Sequence, residues 1–159
     1  METLLDREDL VFSPPQLGCV LSLSGLPGGG SKIYDRSPYG NHGAITGATW
    51  VRLPSGIWCL NFDGNDDYVQ HLHLSAYDLS EQITMMAWIH PENSLTDDCH
   101  MILHKRRDKP RLYTNPSSGQ LSFTCYLTGA GAGNYECKST NNLSLDKWQY
   151  GVGTYDRTD

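Results

Sequence analysis

The sequence predicts an all-β chain folded as an antiparallel sandwich or barrel, and three observations carry that prediction. Apolar residues recur with period two through most of the chain, and no long stretch shows the 3.6-residue period of a helix. The alternating runs are short and follow one another at roughly eight-to-twelve-residue intervals, the rhythm of antiparallel sandwiches. Gly, Pro, Asn and Asp punctuate the gaps, leaving no room for the crossover helices of βαβ units.

The elements run in order. Residues 17–24 alternate Cys19, Leu21 and Leu23 against Val20, Ser22 and Ser24, then break at Leu26-Pro27-Gly28-Gly29-Gly30. His42 to Thr46 and Ala48 to Arg52 are two short strands around Gly47. Ile57 to Phe62 and Tyr68 to Leu72 flank an acidic turn, which reads as the tip of a hairpin. The longest apolar run, Ile83 to His90, ends at Pro91 and reads as a central buried strand. Met101 to His104, Arg111 to Asn115, Gln120 to Leu127, Asn134 to Ser139 and Trp148 to Tyr155 complete the series. A single helical turn is expected within Leu74 to Glu81, capped by Asp78 or Ser80. Residues 1–16, with Ser13-Pro14-Pro15, read as an N-terminal arm ahead of one domain over 17–159.

Composition narrows the function classes. A chain of 159 residues suffices for one domain with a substantial core. Formal net charge is −6, so general nucleic-acid binding is not expected. No apolar run approaches the ~18 residues of a membrane helix, so no membrane insertion is expected. The start, Met1-Glu2-Thr3-Leu4-Leu5-Asp6, lacks the basic and apolar regions of a signal peptide. Five cysteines form no CxxC pair, and an odd total gives no sign of a planned disulfide framework. Cys125 and Cys137 are equidistant from the middle of Gly129-Ala130-Gly131-Ala132-Gly133, so a hairpin centred there would set them opposite each other, within reach of a disulfide.

The densest chemistry lies in Asp63-Gly64-Asn65-Asp66-Asp67. Three carboxylates on one tight turn repel one another unless solvent, donors or a cation offset them. Two readings follow: a solvated turn whose Asp and Asn side chains cap their own backbone, or an oxygen-ligated site for calcium. His71 and His73 share one face of a strand at a spacing compatible with zinc or copper, though no third ligand is placed with them. Trp88 and Trp148 alternate with apolar neighbours and are expected in the core. Trp58 offers an apolar ring for stacking on a sugar, and Tyr113 adds amphipathic surface of the same kind. Lys105-Arg106-Arg107-Asp108-Lys109-Pro110-Arg111 is the one basic cluster. It reads as a solvated turn, or as a contact for sulfated or phosphorylated glycan through Arg106 and Arg107. Asn142-Leu143-Ser144 matches the N-glycosylation acceptor pattern.

An ordered set of motifs carries a family resemblance: Tyr34-Asp35-Arg36-Ser37-Pro38-Tyr39-Gly40-Asn41-His42-Gly43, Gly47-Ala48-Thr49-Trp50, Leu60-Asn61-Phe62-Asp63-Gly64-Asn65-Asp66-Asp67-Tyr68-Val69, Ala87-Trp88-Ile89-His90-Pro91, and Lys147-Trp148 through Thr154-Tyr155-Asp156. Together they resemble the laminin G-like jelly rolls of the concanavalin A-like lectin/glucanase superfamily, over residues 17–159. The resemblance implies a β-sandwich jelly roll, incomplete at its C-terminal strands because the chain ends at the turn after Thr154-Tyr155-Asp156. In related domains the loop bearing Asp35 and the Phe-Asp-Gly turn approach each other, and some members hold calcium there. Asp35, Asn41, Asp63 and Asp67 are the ligands this implies, with Asp66 as a solvent-facing neighbour; the alternative is that Asp35 and Asp63 accept backbone N–H bonds and hold the two turns closed.

The glucanases of the superfamily place two carboxylates ~5 Å apart through a Glu-x-Asp-x-Glu strand. Glu2, Glu8, Glu81, Glu92 and Glu136 form no such pattern, so no catalysis is expected. The resemblance implies a recognition module for a glycan, or for an extracellular or surface protein. It would be one of several domains of a longer extracellular, cell-surface or virion protein. The alternative is a purely structural jelly-roll unit of an appendage, fibre or coat with no ligand of its own.

Overall fold

The computed structural model describes residues 18–24, 30–72, 82–105, 110–127 and 133–157. Among them there is no helix, and every strand pairing is antiparallel. The expected arm over residues 1–16, the helical turn over 74–81, His73, and the basic pair Arg106 and Arg107 lie outside the described residues. Two compact units follow each other along the chain, Met1–Asp78 and Leu79–Asp159.

The first unit holds β1 (Lys32–Ile33), β2 (Gly43–Thr46), β3 (Thr49–Arg52), β4 (Trp58–Asn61) and β5 (Tyr68–Gln70). They form a three-stranded sheet in the order β1-β2-β5 and a two-stranded sheet β3-β4. Of the strand expected over residues 17–24, the described residues 18–24 form none, and Leu23 makes one isolated bridge to Asp35. Ile33 and Ile45 are buried. Gly43 lies so close to Val69 and Ile33 that a Cβ there would fall 2.5 Å from Val69 Cγ1.

The acidic turn is not a hairpin tip. β4 pairs with β3, and β5 pairs with β2, so the chain changes sheet as it passes through residues 62–67. It also changes sheet between β2 and β3, around Gly47. The two corners are adjacent, because a Cβ on Gly47 would meet Asp67 Oδ1 at 1.7 Å. Gly47, at φ +76°, is required there both by its backbone conformation and by that close approach.

The second unit is a two-layer sandwich. One layer has four strands in the order β10-β9-β8-β7, comprising β7 (Met101–His104), β8 (Arg111–Thr114), β9 (Gln120–Leu127) and β10 (Gly133–Asn142). The other is the pair β6 (Gln82–Ile89) and β11 (Gln149–Asp156), in unbroken register from Gln149↔Ile89 to Asp156↔Gln82. Between the layers, Leu112, Phe123 and Cys125 are buried against Ile83, Met85, Ile102, Leu103, Leu121 and Tyr155. β11 contributes Gly151 and Gly153 to this interface. A Cβ on Gly151 would fall 2.7 Å from Leu121 Cδ2, and one on Gly153 would fall 2.3 Å from Phe123 Cγ.

Three expectations are corrected here. β6 is not buried on both faces: Ile83, Met85, Ala87 and Ile89 turn inward, whereas Gln82, Thr84, Met86 and Trp88 are exposed. Trp88 is 66% exposed and Trp148 41%, so neither is a core residue. Cys125 and Cys137 are not opposite each other, because the β9/β10 register sets Cys125 against Tyr135 and Cys137 against Phe123. All five cysteines are free. The ladder closes at Gly133↔Leu127, so its centre lies one residue before the symmetric point of the glycine-rich turn, enough to shift cross-strand partners by two.

Gly153→Ala drives a methyl group into the Phe123 ring. The expected cost is about 1–3 kcal/mol, read as a lower urea midpoint at unchanged slope.

Candidate functional site

Asp35 and the acidic turn share carboxylate chemistry but differ in environment. Asp35 is 6% exposed and accepts four hydrogen bonds. Oδ1 accepts from the backbone N–H of Ser22 (2.7 Å) and of Ser37 (2.9 Å). Oδ2 accepts from the Ser37 hydroxyl (2.6 Å) and the Asn41 N–H (2.7 Å). Two donors per oxygen use the lone-pair capacity of an ionised carboxylate. Burial alone would raise the pKa of this group, but the Ser37 hydroxyl and the three N–H groups outweigh it, and the net shift is downward. Asp35 therefore ties together the segments around residues 22, 37 and 41, and it has no oxygen left for a cation. The Asn41 side chain leans the same way, with Nδ2 3.4 Å from the carbonyl of Val20.

The acidic turn is open to solvent. Asp63 Oδ1 accepts the Asn65 N–H at 2.8 Å, and the Asp63 N–H donates to Asp67 Oδ2 at 2.8 Å. The backbone and side-chain amides of Asn65 lower the pKa of Asp63. Asp63, Asp66 and Asp67 each bring one carboxylate oxygen within 4.8 Å of the others. Asp63 and Asp67 are thus brought together as expected, Asp66 joins them, and Asp35 and Asn41 do not. His71 Nδ1 sits 3.1 Å from the Leu72 carbonyl.

The candidate sugar contacts separate as sharply. Tyr113 is 5% exposed and is committed to its own sheet. Its hydroxyl donates to Glu136 Oε1 at 2.5 Å and lies 3.4 Å from Thr124 Oγ1. Burial and the bond to Glu136 raise its pKa. The Arg111 guanidinium lies 4.6 Å from the Tyr113 ring centroid and donates to the Tyr126 hydroxyl at 3.2 Å. This network braces the outer face of the four-stranded layer, and Tyr113 is not a ligand contact. Trp58 is half-buried on β4, paired with Arg52.

The exposed aromatic surface lies on the outer face of β6 and β11. Trp88 pairs across the strands with Tyr150, and Met86 pairs with Val152. The Trp88 and Tyr150 rings are 5.1 Å apart, tilted by 40°. The Tyr150 hydroxyl donates to Met86 Sδ at 2.8 Å, which steadies its ring. Trp148 and His90 extend the surface, with centroids 5.2 Å apart. Polar groups follow on the same face: Thr84 opposite Thr154, then Gln82 Nε2 donating to Asp156 Oδ2 at 3.0 Å. The signal was present in the sequence, because Trp88 shares parity with Gln82 and Thr84, and Tyr150 shares parity with Thr154 and Asp156.

Asp35→Asn removes two acceptor sites and turns an amide N–H₂ toward backbone donors, at an expected cost of about 2–4 kcal/mol. Because the folded pKa is depressed below the ordinary 3.8, the carboxylate stabilises the fold above that value. Its contribution disappears as pH falls through the folded value. Wild type should lose stability on acidification in that range, and Asp35→Asn should flatten this part of a stability-against-pH profile.

A family model for laminin G-like domains, described as the concanavalin A-like lectin/glucanases superfamily, matches residues 63–159, more than half of the chain. No curated protein and no solved structure matches it. Laminin G-like domains are lectin-like binding modules, in general without catalysis. The sandwich of short antiparallel strands and the matched family model agree: the chain belongs to the concanavalin A-like lectin/glucanases superfamily, as a laminin G-like domain.

Proposed function

We propose that this chain is a non-catalytic recognition module that binds carbohydrate on the outer face of β6 and β11. The observation that carries the reading is the solvent-exposed pair Trp88 (66%) and Tyr150 (49%), steadied by Met86 and Val152. A sugar ring presents apolar C–H groups on its faces and hydroxyls at its rim. Aromatic side chains meet the first, and Thr84, Thr154, Gln82 and Asp156 on the same face meet the second. The two described glutamates have other partners, Glu92 beside His90 and Glu136 with Tyr113 and Lys138. On this reading the module serves a longer extracellular, cell-surface or virion protein. The acidic turn is its cation site: the oxygens of Asp63, Asp66 and Asp67 fit a hard ion such as calcium, which would offset their mutual repulsion.

A glycan array probed with and without calcium tests the assignment. Trp88→Ala should lower affinity for any hit by about ten- to a hundredfold, the worth of one buried aromatic face, with an unchanged melting temperature. Silence across glycans would return the chain to the structural role. Calcium titrated into the full chain should show one site, and Asp66→Asn should weaken it without unfolding the corner. A titration indistinguishable from buffer would remove the metal.

A further inference from the structure

The pairing of β9 with β10 contains two registers. From Gly133↔Leu127 to Lys138↔Ser122 the ladder is unbroken, and this register sets Cys125 against Tyr135 and Cys137 against Phe123. Beyond Lys138 the count changes: four steps along β10 match two along β9, and the next pair is Asn142↔Gln120. The surplus residues form a bulge that Ser139 fastens. Its hydroxyl accepts from the Leu121 N–H at 3.1 Å and donates to the Asn141 carbonyl at 2.6 Å, while Gln120 Nε2 donates to the Ser139 carbonyl at 2.7 Å. Carried back along the strands without the bulge, the Asn142↔Gln120 register sets Lys138 opposite Thr124 and Cys137 opposite Cys125. A shift of two residues keeps every side chain on its own face, whereas a shift of one would reverse them all. In the present register the two cysteines already share a face, one diagonal step apart.

We propose that Cys125 and Cys137 form a reversible disulfide that captures the second register, so that the β9/β10 pair is a redox-sensitive register switch. Distance requires the shift. Diagonal cross-strand neighbours lie ~7–8 Å apart and directly opposed ones ~4.5–5.5 Å, whereas a disulfide needs Cβ atoms ~3.8 Å apart. The bulge supplies the slack, which passes on closure to the glycine-rich sequence between the strands. Two contacts hold the reduced register: the Tyr113 hydroxyl bond to Glu136 and the Tyr135 ring against Tyr155. The shift gives up both, because Glu136 leaves its place opposite Thr124 and Lys138 takes it. The oxidant is a small disulfide such as oxidised glutathione. Burial pushes the Cys125 thiol up to about 11, with the charge of Cys137 adding the smaller share, and a thiol kept protonated is a poor first nucleophile. Exchange therefore begins at the exposed Cys137. Its thiolate attacks one glutathione sulfur, the S–S bond breaks, and one glutathione leaves and takes up a proton. The Cys125 thiolate then attacks Cys137 Sγ and displaces the second glutathione. Two protein thiols are oxidised as one glutathione disulfide is reduced to two thiols.

The test equilibrates the full reduced chain, under native conditions, in glutathione buffers of stepped oxidised-to-reduced ratio. Samples are acid-quenched, alkylated and mapped by mass spectrometry. The expected product is a Cys125–Cys137 link as the one internal disulfide, reversed when the buffer is made reducing. Glu136→Ala, which releases the Tyr113 bond that holds the reduced register, should raise the linked-to-reduced ratio in a given buffer about tenfold. Cross-strand proton contacts in the NMR spectrum of the oxidised wild type should pair Thr124 with Lys138 in place of Glu136. Persistent glutathione on Cys137 without closure, or a link from either cysteine to Cys19, Cys59 or Cys99, would overturn the pairing. A Cys125–Cys137 link formed with Thr124 still opposite Glu136, or a ratio that Glu136→Ala leaves unmoved, would overturn the register change.

Discussion

The close approach of β11 to β9 is the constraint on which the second unit depends. Gly151 and Gly153 leave no side chain at the points where Leu121 and Phe123 press against the partner strand, and even one added carbon would overlap them. Packed sheets ordinarily interleave side chains from both inner faces. Here β9 supplies the volume and β11 the space for it. This arrangement fixes which face of the β6/β11 pair points inward, and parity does the rest. With Gly151, Gly153 and Tyr155 inside, Tyr150 and Val152 must be outside, and the unbroken register carries Trp88 and Met86 out with them. The aromatic surface is thus a consequence of two glycines.

The first unit fixes its connections with two carboxylates of opposite fates, one in the loop before β2 and one at the corner where the chain changes sheet. Asp35 is enclosed and satisfied by four donors, a group whose charge is balanced entirely by N–H and O–H dipoles. Asp67 is set against Gly47 and accepts from Asp63, holding the corner shut from the outside. With Asp63 and Asp66 it leaves carboxylate oxygens converging at the surface. Carboxylates whose lone pairs are consumed are structural. Carboxylates that converge with capacity to spare are chemically available.

Much of the strand inventory was readable in advance because alternation and turn residues are local properties. The bounds of β2, β3, β7, β8 and β9 follow the apolar runs closely, and Gly47 and Gly64 mark breaks where the backbone takes positive φ. Errors arose wherever an answer required knowing the partner. Residues 18–24 alternate like a strand but find one bridge. Asp63 and Asp67 were grouped with Asp35 because sequence shows residue type, not which donors have already claimed an oxygen. Tyr113 and Trp88 exchanged roles for the same reason. A tyrosine expected to meet ligand is braced by Arg111 and Glu136, and a tryptophan expected in the core faces solvent.

The sequence by itself determined the all-β character, the position of most turns, and the family, since these depend on periodicity, on backbone preferences of Gly, Pro and Asn, and on ordered motifs. Only the tertiary structure decided which face of each strand is buried, whether adjacent strands share a sheet, and which carboxylates stay accessible. Period two distinguishes two faces but does not say which one meets another layer. That choice rests on contacts between residues far apart in the chain, such as Gly153 with Phe123 and Asp67 with Gly47, and no local pattern encodes them.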